Sequence, residues 1–292
     1  MKTLKLNTLP APTFSWLGVN DIQADVQPFP EEVTYLENGS CTQVTSGGAY
    51  EISAQDGNTL DAVMFISPES NAQIKTQVTV GSGSAVRLVQ IFESPAQTAA
   101  GVYAVLADNA RFELVQLYLK TADTISEVNT QLEGRKAGFT ANIGYLLGGS
   151  DRLDINLVAR HLGRKTRSEI NAKGVLDKNS RKTFKGTIDF VGGCAGASGA
   201  ESEDTLLIGG KTVNKTVPLI LCAEEDVEGS HGASIGRVDE NHIFYMQSRG
   251  LPEEKIIQLM ARSKIAQIIS TISDEDLRER LNNTLLRGND NE

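Results

Sequence analysis

Between about Tyr35 and Ala223, apolar and polar residues alternate with a period of two, in short runs that stop at Gly, Asn, Asp or Ser. Successive side chains of a strand point to opposite faces, so this is the pattern of strands rather than helices. "RFELVQLYL" sets Phe112, Leu114 and Gln116 on one face and Glu113, Val115 and Leu117 on the other. "TISEVNTQLEG", "GFTANIGYLL", "RLDINLVAR" and "TFKGTIDFVG" follow. The runs recur at intervals of roughly 14–16 residues, near Phe112, Ile125, Phe139, Ile155, Ile170, Phe184 and Leu206. Regular short strands with no helix between them leave three architectures: a sandwich, an up-and-down barrel or a parallel β-solenoid. Asn-Gly hairpin signals are rare and aromatic residues make up only 5% of the chain. Both facts favour the solenoid, in which aliphatic coils bury one another's inner faces.

The two ends read differently. Residues 1–34 contain Pro10 and Pro12 and predict an irregular, extended arm, which Trp16 packs onto the body. The strand pattern of the core spans 35–238. From Asp239 the period becomes helical, and 239–287 predicts a small helical domain. Asp239 is a candidate N-cap and Gly250 a terminator. A second helix opens with Pro252 as its first residue and Glu253 and Glu254 in its first turn. Its apolar stripe is Ile256, Ile257, Met260, Ile265, Ile268, Ile269 and Ile272. Ser273–Asp276 resembles a capping box before a third helix, Leu277 to Leu286. Such a bundle can cap one end of the body and offer its other face to a partner.

A net charge of −9 argues against nucleic acid as a partner. The local basic run Arg160, His161, Arg164, Lys165 and Arg167 reads as a solvated loop or strand edge. Cys41, Cys194 and Cys222 are odd in number and widely spaced, which is no disulfide framework. No apolar run reaches the ~20 residues that span a bilayer. The N-terminal prolines interrupt any signal-peptide core. These features predict a cytoplasmic protein with reduced thiols and no membrane partner.

Several motifs fail on spacing. "VGSGSAV" from Val80 precedes no helix, so it is not a dinucleotide loop. "GGKT" from Gly209 has Thr205 where a phosphate loop needs its first glycine, and no helix follows Thr212. No Ser–His–Asp set is recognisable around His161, His231 or His242, and no catalytic residue is assigned. A metal site is harder to dismiss. Cys222, Glu224, Glu225, Asp226, Glu228 and His231 lie within ten residues, and strand alternation would put Cys222 and Glu224 on one face. Thiolate, carboxylate and imidazole are all iron ligands, but the spacing matches no structural zinc pattern. "GGCAG" around Cys194 reads as a tight bend with a small buried side chain.

The segment "DVEGSHGASIGRVDENHIFYMQSRGL" resembles the C-terminal signature of the SufB/SufD family of the SUF iron–sulfur cluster assembly system. "RKTFKGTIDF", "DTLLIGGKTVNKTVPLI" and "PAPTFSWLGVN" are similar to family segments and keep the same order. The resemblance implies a right-handed parallel β-helix followed by C-terminal helices, and no ATPase activity of its own. It implies a SufC-like ABC ATPase docked on those helices, with Phe244, Tyr245, Arg249 and Ile257 as docking candidates. It also implies a second SufB/SufD-type chain paired through the β-helix, near the strands before the helices.

His231 matches the family histidine at that interface and is a tentative metal ligand. Thr212 stands where SufB-type proteins have a cysteine, and Gly232 where they have a glutamate. Both departures favour a SufD-like chain. Cys222 and Glu224 are further candidates for holding a transient iron–sulfur cluster; no stable cofactor is predicted. The chain is short for the family, and both a homodimer and a heterodimer with SufB stay open. Two other readings stand beside the scaffold: a purely structural partner of another scaffold chain, and a β-helix enzyme acting on polysaccharide.

Overall fold

The computed structural model describes residues 2–13, 15–26 and 32–287. Its body is a parallel β-solenoid of about seven turns. Each coil supplies one strand to each of two parallel ladders. The first ladder stacks β3 (Val33–Tyr35), β5 (Gly48–Ala54), β7 (Ala72–Val80), the second halves of β8 (Ala85–Leu106) and β9 (Arg111–Leu132), then β11 (Arg152–His161), β13 (Arg181–Phe190) and β15 (Val213–Cys222). The second stacks β4 (Ser40–Val44), β6 (Thr59–Ile66), the first halves of β8 and β9, then β10 (Gly138–Leu147), β12 (Arg167–Leu176), β14 (Ala197–Leu207) and β16 (Val227–Arg237). The strand interval seen in the sequence is therefore half a coil. Gln90 and Gln116, stacked neighbours in the lumen, are 26 residues apart. Asn142 and Asn171, one coil later, are separated by 29.

The lumen is filled by the inward member of each alternating pair. Phe112, Leu114, Gln116 and Tyr118 of β9 are all buried. Rings stack from coil to coil, Phe92 on Tyr118 at 4.6 Å and Phe112 on Phe139 at 5.5 Å. The few aromatics are thus used one above another. Buried polar side chains are paired along the same axis: Gln116 donates to Gln90 Oε1 at 2.9 Å, and Tyr118 OH donates to Gln116 Oε1 at 3.1 Å.

Three helices follow among the described residues: α1 (Glu240–Ser248), α2 (Glu253–Ile269) and α3 (Glu275–Arg287). Asp239 caps α1 through Asn241 N, as its position predicts. Pro252, read as the first helical residue, is the N-cap of α2, with extended backbone. Asp274 Oδ1 accepts from Leu277 N at the start of α3.

The bundle does not cap an end. It folds back on the flank of the second ladder, where outward residues are also apolar. Val89, Ile91, Val115, Leu117 and Leu119 form one cluster with Ile265, Ile268, Ile269, Ile272, Leu277 and Leu281. Burying that stripe on both sides is worth more than covering one end, since each full aliphatic burial stabilises by roughly 1.5–3 kcal/mol. Gly144 makes the seat: a Cβ there would lie 2.8 Å from Leu117 and 3.4 Å from Ile268. Lys264 pairs with Asp204 at the edge of the seat.

The N-terminal arm is more ordered than its prolines suggest. β1 (Lys2–Leu6) and β2 (Ile22–Val26) pair antiparallel, and Ala24 and Val26 pack on Ala99 and Ile125. The alternation that makes them strands, Leu4/Leu6 and Ile22/Ala24/Val26, lies outside the proline segment. Asn7, left-handed at φ 51°, is buried beside Lys185 and Asp154. Its Nδ2 donates to Asp154 Oδ1 at 2.7 Å, while Lys185 Nζ donates to Asn7 O at 3.1 Å. The arm then reaches β15, where Lys215 Nζ donates to Leu17 O at 2.7 Å. Trp16 does not pack the arm down; it is 79% exposed. Polar latches and the β1–β2 ladder do that work instead.

His161 also departs from the solvated reading of its basic neighbourhood. It ends β11 facing inward, its ring tilted against Phe190 at 4.8 Å. Its Nδ1 is 2.7 Å from Thr166 Oγ1 and its Nε2 is 2.8 Å from Ser168 Oγ. Burial lowers its pKa from 6.5 to about 4. The unfolded chain therefore takes up the proton first as pH falls. The stability that neutral His161 contributes is complete above pH 6.5 and is lost through the window down to about 4. In urea titrations from about pH 7 to about pH 4, His161→Gln should show a shallower pH dependence than the parent, by up to about 3 kcal/mol. Parallel curves would exclude a buried neutral ring.

Candidate functional site

The last coil, β15, the corner 223–226 and β16, has a neighbour on one side only. Among the described residues β15 pairs with β13 and β16 with β14, and no strand pairs with their outer edges. Every residue of β15 is partly exposed, and β16 is exposed beyond Val227. The lumen is thus open here. Register fixes which side chains face it. Cys222 stacks on Phe190 and His231 on Glu201, both above inward-facing residues. Gly229 continues the stack, with Phe190 and Ile220 within 3.3 Å of where its Cβ would be.

One coil below lies a charged cluster that the alternation pattern hid. Lys182 and Glu203 form an ion pair, both side chains essentially inaccessible. Thr216 Oγ1 donates to Glu203 Oε2 at 2.5 Å, and Tyr145 OH donates to Glu203 Oε1 at 2.9 Å. Tyr145 OH is also 2.6 Å from Thr205 Oγ1. Glu201 stretches across the lumen against Gly186, where any Cβ would come within 2.4 Å of its carboxyl. Its Oε2 is buried without a hydrogen-bond partner. Burial first, and then Glu203, raise its pKa to about 8, while Lys182 pulls the other way. Glu201 is therefore mostly protonated at neutral pH. Burial lowers the Lys182 pKa against the pull of Glu203, and it raises that of Tyr145 well above the ordinary value. "RKTF" and "AESED" break the apolar rule at inward positions, and that was the available signal.

The candidate ligands are not gathered into one group. His231 lies in mid-strand on β16, whereas Cys222 ends β15 on the opposite ladder. Glu224 does not share a strand face with Cys222, because β15 stops at Cys222. Its carboxylate instead closes the corner: Oε2 accepts from Gly193 N at 2.9 Å and Oε1 from Glu225 N at 3.1 Å. Those backbone donors, Gly193 foremost, lower its pKa. Cys222 Sγ donates to Glu224 O at 3.1 Å. No three His, Cys, Asp or Glu side chains among the described residues are grouped so as to hold a metal ion. Cys194 is buried in a turn, and Cys41 is exposed on β4. His242 is exposed, its Nδ1 3.4 Å from Asp239 Oδ2.

The docking candidates are accessible. Phe244 is 72% exposed and Tyr245 56%, with the Arg249 guanidinium 5.1 Å above the Tyr245 ring. Ile257 is half-buried on α2. No described side chain of α1 is buried. Gly209–Thr212 forms the corner that leads into β15, a strand. A surface groove of about 830 Å³ runs along the second ladder past Arg87, Glu113, Arg167, Glu169 and Glu228. Phe112 and Phe139 turn their rings inward at its floor, so they offer a sugar no stacking surface.

A parallel solenoid followed by C-terminal helices is the architecture that the resemblance implies. Residues 39–264 match the family model "SUF system FeS cluster assembly, SufBD core domain". The chain belongs to the SufBD core family. It is 26% identical over 163 residues to the iron–sulfur cluster assembly protein SufD of Bacillus subtilis, a match that covers 56% of this chain and 37% of that protein. It is 28% identical over 109 residues to SufD of Escherichia coli, covering 37% of this chain and 26% of that protein. A 100-residue stretch is 36% identical to the iron–sulfur cluster assembly SufBD family protein ycf24 of Trieres chinensis, covering 34% and 21%. The matches thus span well under two thirds of these relatives. No helix of the described residues is long and apolar enough to cross a membrane.

The buried pair yields a direct test. Glu203→Gln strands the Lys182 charge and should cost about 3–5 kcal/mol in urea unfolding. The double variant Lys182→Met/Glu203→Gln should recover much of that loss. If the double variant is as unstable as the single, charge pairing is not what Glu203 supplies.

Proposed function

We propose that this chain is a scaffold subunit of a SUF-type iron–sulfur cluster assembly complex, with no ATPase activity of its own. It works with a SufC-like ABC ATPase and a second SufB/SufD-type chain in the cytoplasm, where its three free thiols stay reduced. The observation that carries the reading is His231 at the inward register of an unpaired final strand. A second chain closing over that end would enclose the imidazole with the Cys222 thiol of the opposite ladder. Imidazole nitrogen and thiolate sulfur are both iron ligands. The nascent cluster is cargo, built across two chains. Glu224 is a corner residue in this reading, not a ligand.

His231→Ala should abolish cluster formation in anaerobic reconstitution while the purified complex keeps its composition. Full assembly with that variant would leave the chain a purely structural partner.

The ATPase is assigned to α1 and the start of α2, where Phe244, Tyr245 and Arg249 offer an aromatic–cationic surface of the kind that anchors interfaces. ATP-driven closure of the ATPase dimer would move the bundles and, through their seat on the second ladder, strain the end interface. Phe244→Ala and Tyr245→Ala should each weaken ATPase binding by about tenfold or more at unchanged melting temperature. Wild-type affinity in both would move the docking site elsewhere.

A further inference from the structure

Two members of the basic run 160–167 are spoken for. Arg160 Nε lies 3.2 Å from Asp189 Oδ2, and His161 is inside the lumen. The others, Arg164, Lys165 and Arg167, share one surface with Arg111, Arg135 and Lys136 of the coils before. All six are exposed, and among the described residues none pairs with a carboxylate, whereas Arg87, Arg152, Arg160 and Arg278 each do. Of the nearby acids, Asp108 Oδ1 accepts from Arg135 N at 2.6 Å, Glu113 pairs with Arg87, and Glu169 Oε1 accepts from Asn171 Nδ2 at 3.0 Å. Unpaired cations thus gather in one place on a chain of net charge −9.

The backbone argues that this charge is not incidental. The corners before the second ladder stack in a column, each donating one amide to the next: Asn109 N to Arg135 O, Lys136 N to Arg164 O, Lys165 N to Ala195 O and Gly196 N to Asp226 O. The donor is left-handed at every coil from Gly57 to Gly196, and it is Gly or Asn except at Lys136 (φ 59°) and Lys165 (φ 58°). Gly and Asn suit that conformation; lysine does not. Cations also guard open sheet edges, but these coils have neighbours on both sides.

Gly138 stands between Arg111 and Arg167 in one outward row, and a Cβ there would lie 2.2 Å from Arg111 Nη1. The guanidinium therefore lies across the glycine, in the groove of about 830 Å³. From Arg111 to Arg167 is two strand spacings, about 10 Å, which about three extended residues cover. The sign reverses at Asp108 before the strip and at Asp226 after it, and Glu113, Glu133 and Glu169 flank it. A nucleic acid or a charged membrane would run over these acids, within a screening length of about 8 Å. A short cluster of carboxylates ends where the strip does.

We propose that this strip docks a partner protein through a short acidic segment, about three or four carboxylates long, lying extended along the groove across the coils. The proposal depends on neither His231 nor the ATPase surface.

The probe is a fluorescein-labelled Gly-Ser peptide of about twelve residues carrying about four consecutive glutamates, titrated with the full chain at low salt. A peptide of the same composition with its glutamates dispersed is the comparison, and it should bind more weakly. Lys136→Asn/Lys165→Asn should raise the Kd about fivefold or more, at an unchanged or higher melting temperature because Asn suits the left-handed corner. Arg111→Gln/Arg167→Gln should weaken binding by a similar factor, and it carries the comparison if the first pair fails to fold. Lys178→Asn makes the same replacement at a left-handed lysine of the opposite corner and should leave the Kd unchanged. No binding of the clustered peptide, equal binding of the dispersed one, or wild-type affinity in both double variants overturns the proposal. Tighter binding of single-stranded DNA or of phosphatidylglycerol vesicles, lost in the same variants, overturns it too and assigns the strip to phosphates.

Discussion

The structure depends on coil-on-coil hydrogen bonding between parallel strands. A coil of this protein has no core of its own. Its inward side chains are buried only because the neighbouring coils stack in register above and below. That constraint explains why rings lie on rings, and why Gln90 and Gln116 can be buried at all. It also means that a terminal coil is unsatisfied by construction. At β15 and β16 the backbone edge and the lumen are both open, and His231 stands there.

Two devices keep the body from being a simple stack. The helices cover the outer face of the second ladder, and the N-terminal arm covers the first, reaching from β8 to β15. Neither covers the open end. The arm is held by Lys185, Asp154 and Asn7, a buried polar latch in which Asn7 Nδ2 and main-chain O are bonded and Asn7 Oδ1 is left without a hydrogen bond. The cluster of Lys182, Glu203, Tyr145 and Thr216 beneath the end is of the same kind. Hydrogen-bonded networks rigidify their surroundings, and the second one lies directly beneath the open end. The cost is a protonated, unpartnered carboxyl, which a purely apolar lumen would not have.

Much of this was legible in the chain. Period-two runs located the strands, and the change of period at Asp239 located the helix starts to within a residue or two, although α2 ends at Ile269, short of Ile272 in the expected stripe. The scarcity of hairpin signals and of aromatic residues argued for a solenoid. The arm's strands are hard to read because each is only five residues long and the two prolines lie between them. The bundle's seat is invisible to periodicity, because alternation puts Val115 and Leu117 on one face and says nothing of what covers it. Trp16 was given a packing role by type, and the latch at Asn7 made it unnecessary. His161 was grouped with its basic neighbours, although its parity along β11 made it inward.

The sequence by itself determined the class of fold, the order of its parts and the family, because periodicity and motif are local and linear. It also singled out His231 as a candidate, through the residues that flank it. Only the tertiary structure decided which candidate ligands could meet. Stacking register is a relation between residues some thirty positions apart, and corner geometry follows from backbone donors that no pattern displays. Register put His231 over Glu201 and Cys222 over Phe190, on different ladders, while the Gly193 amide claimed Glu224 for the turn.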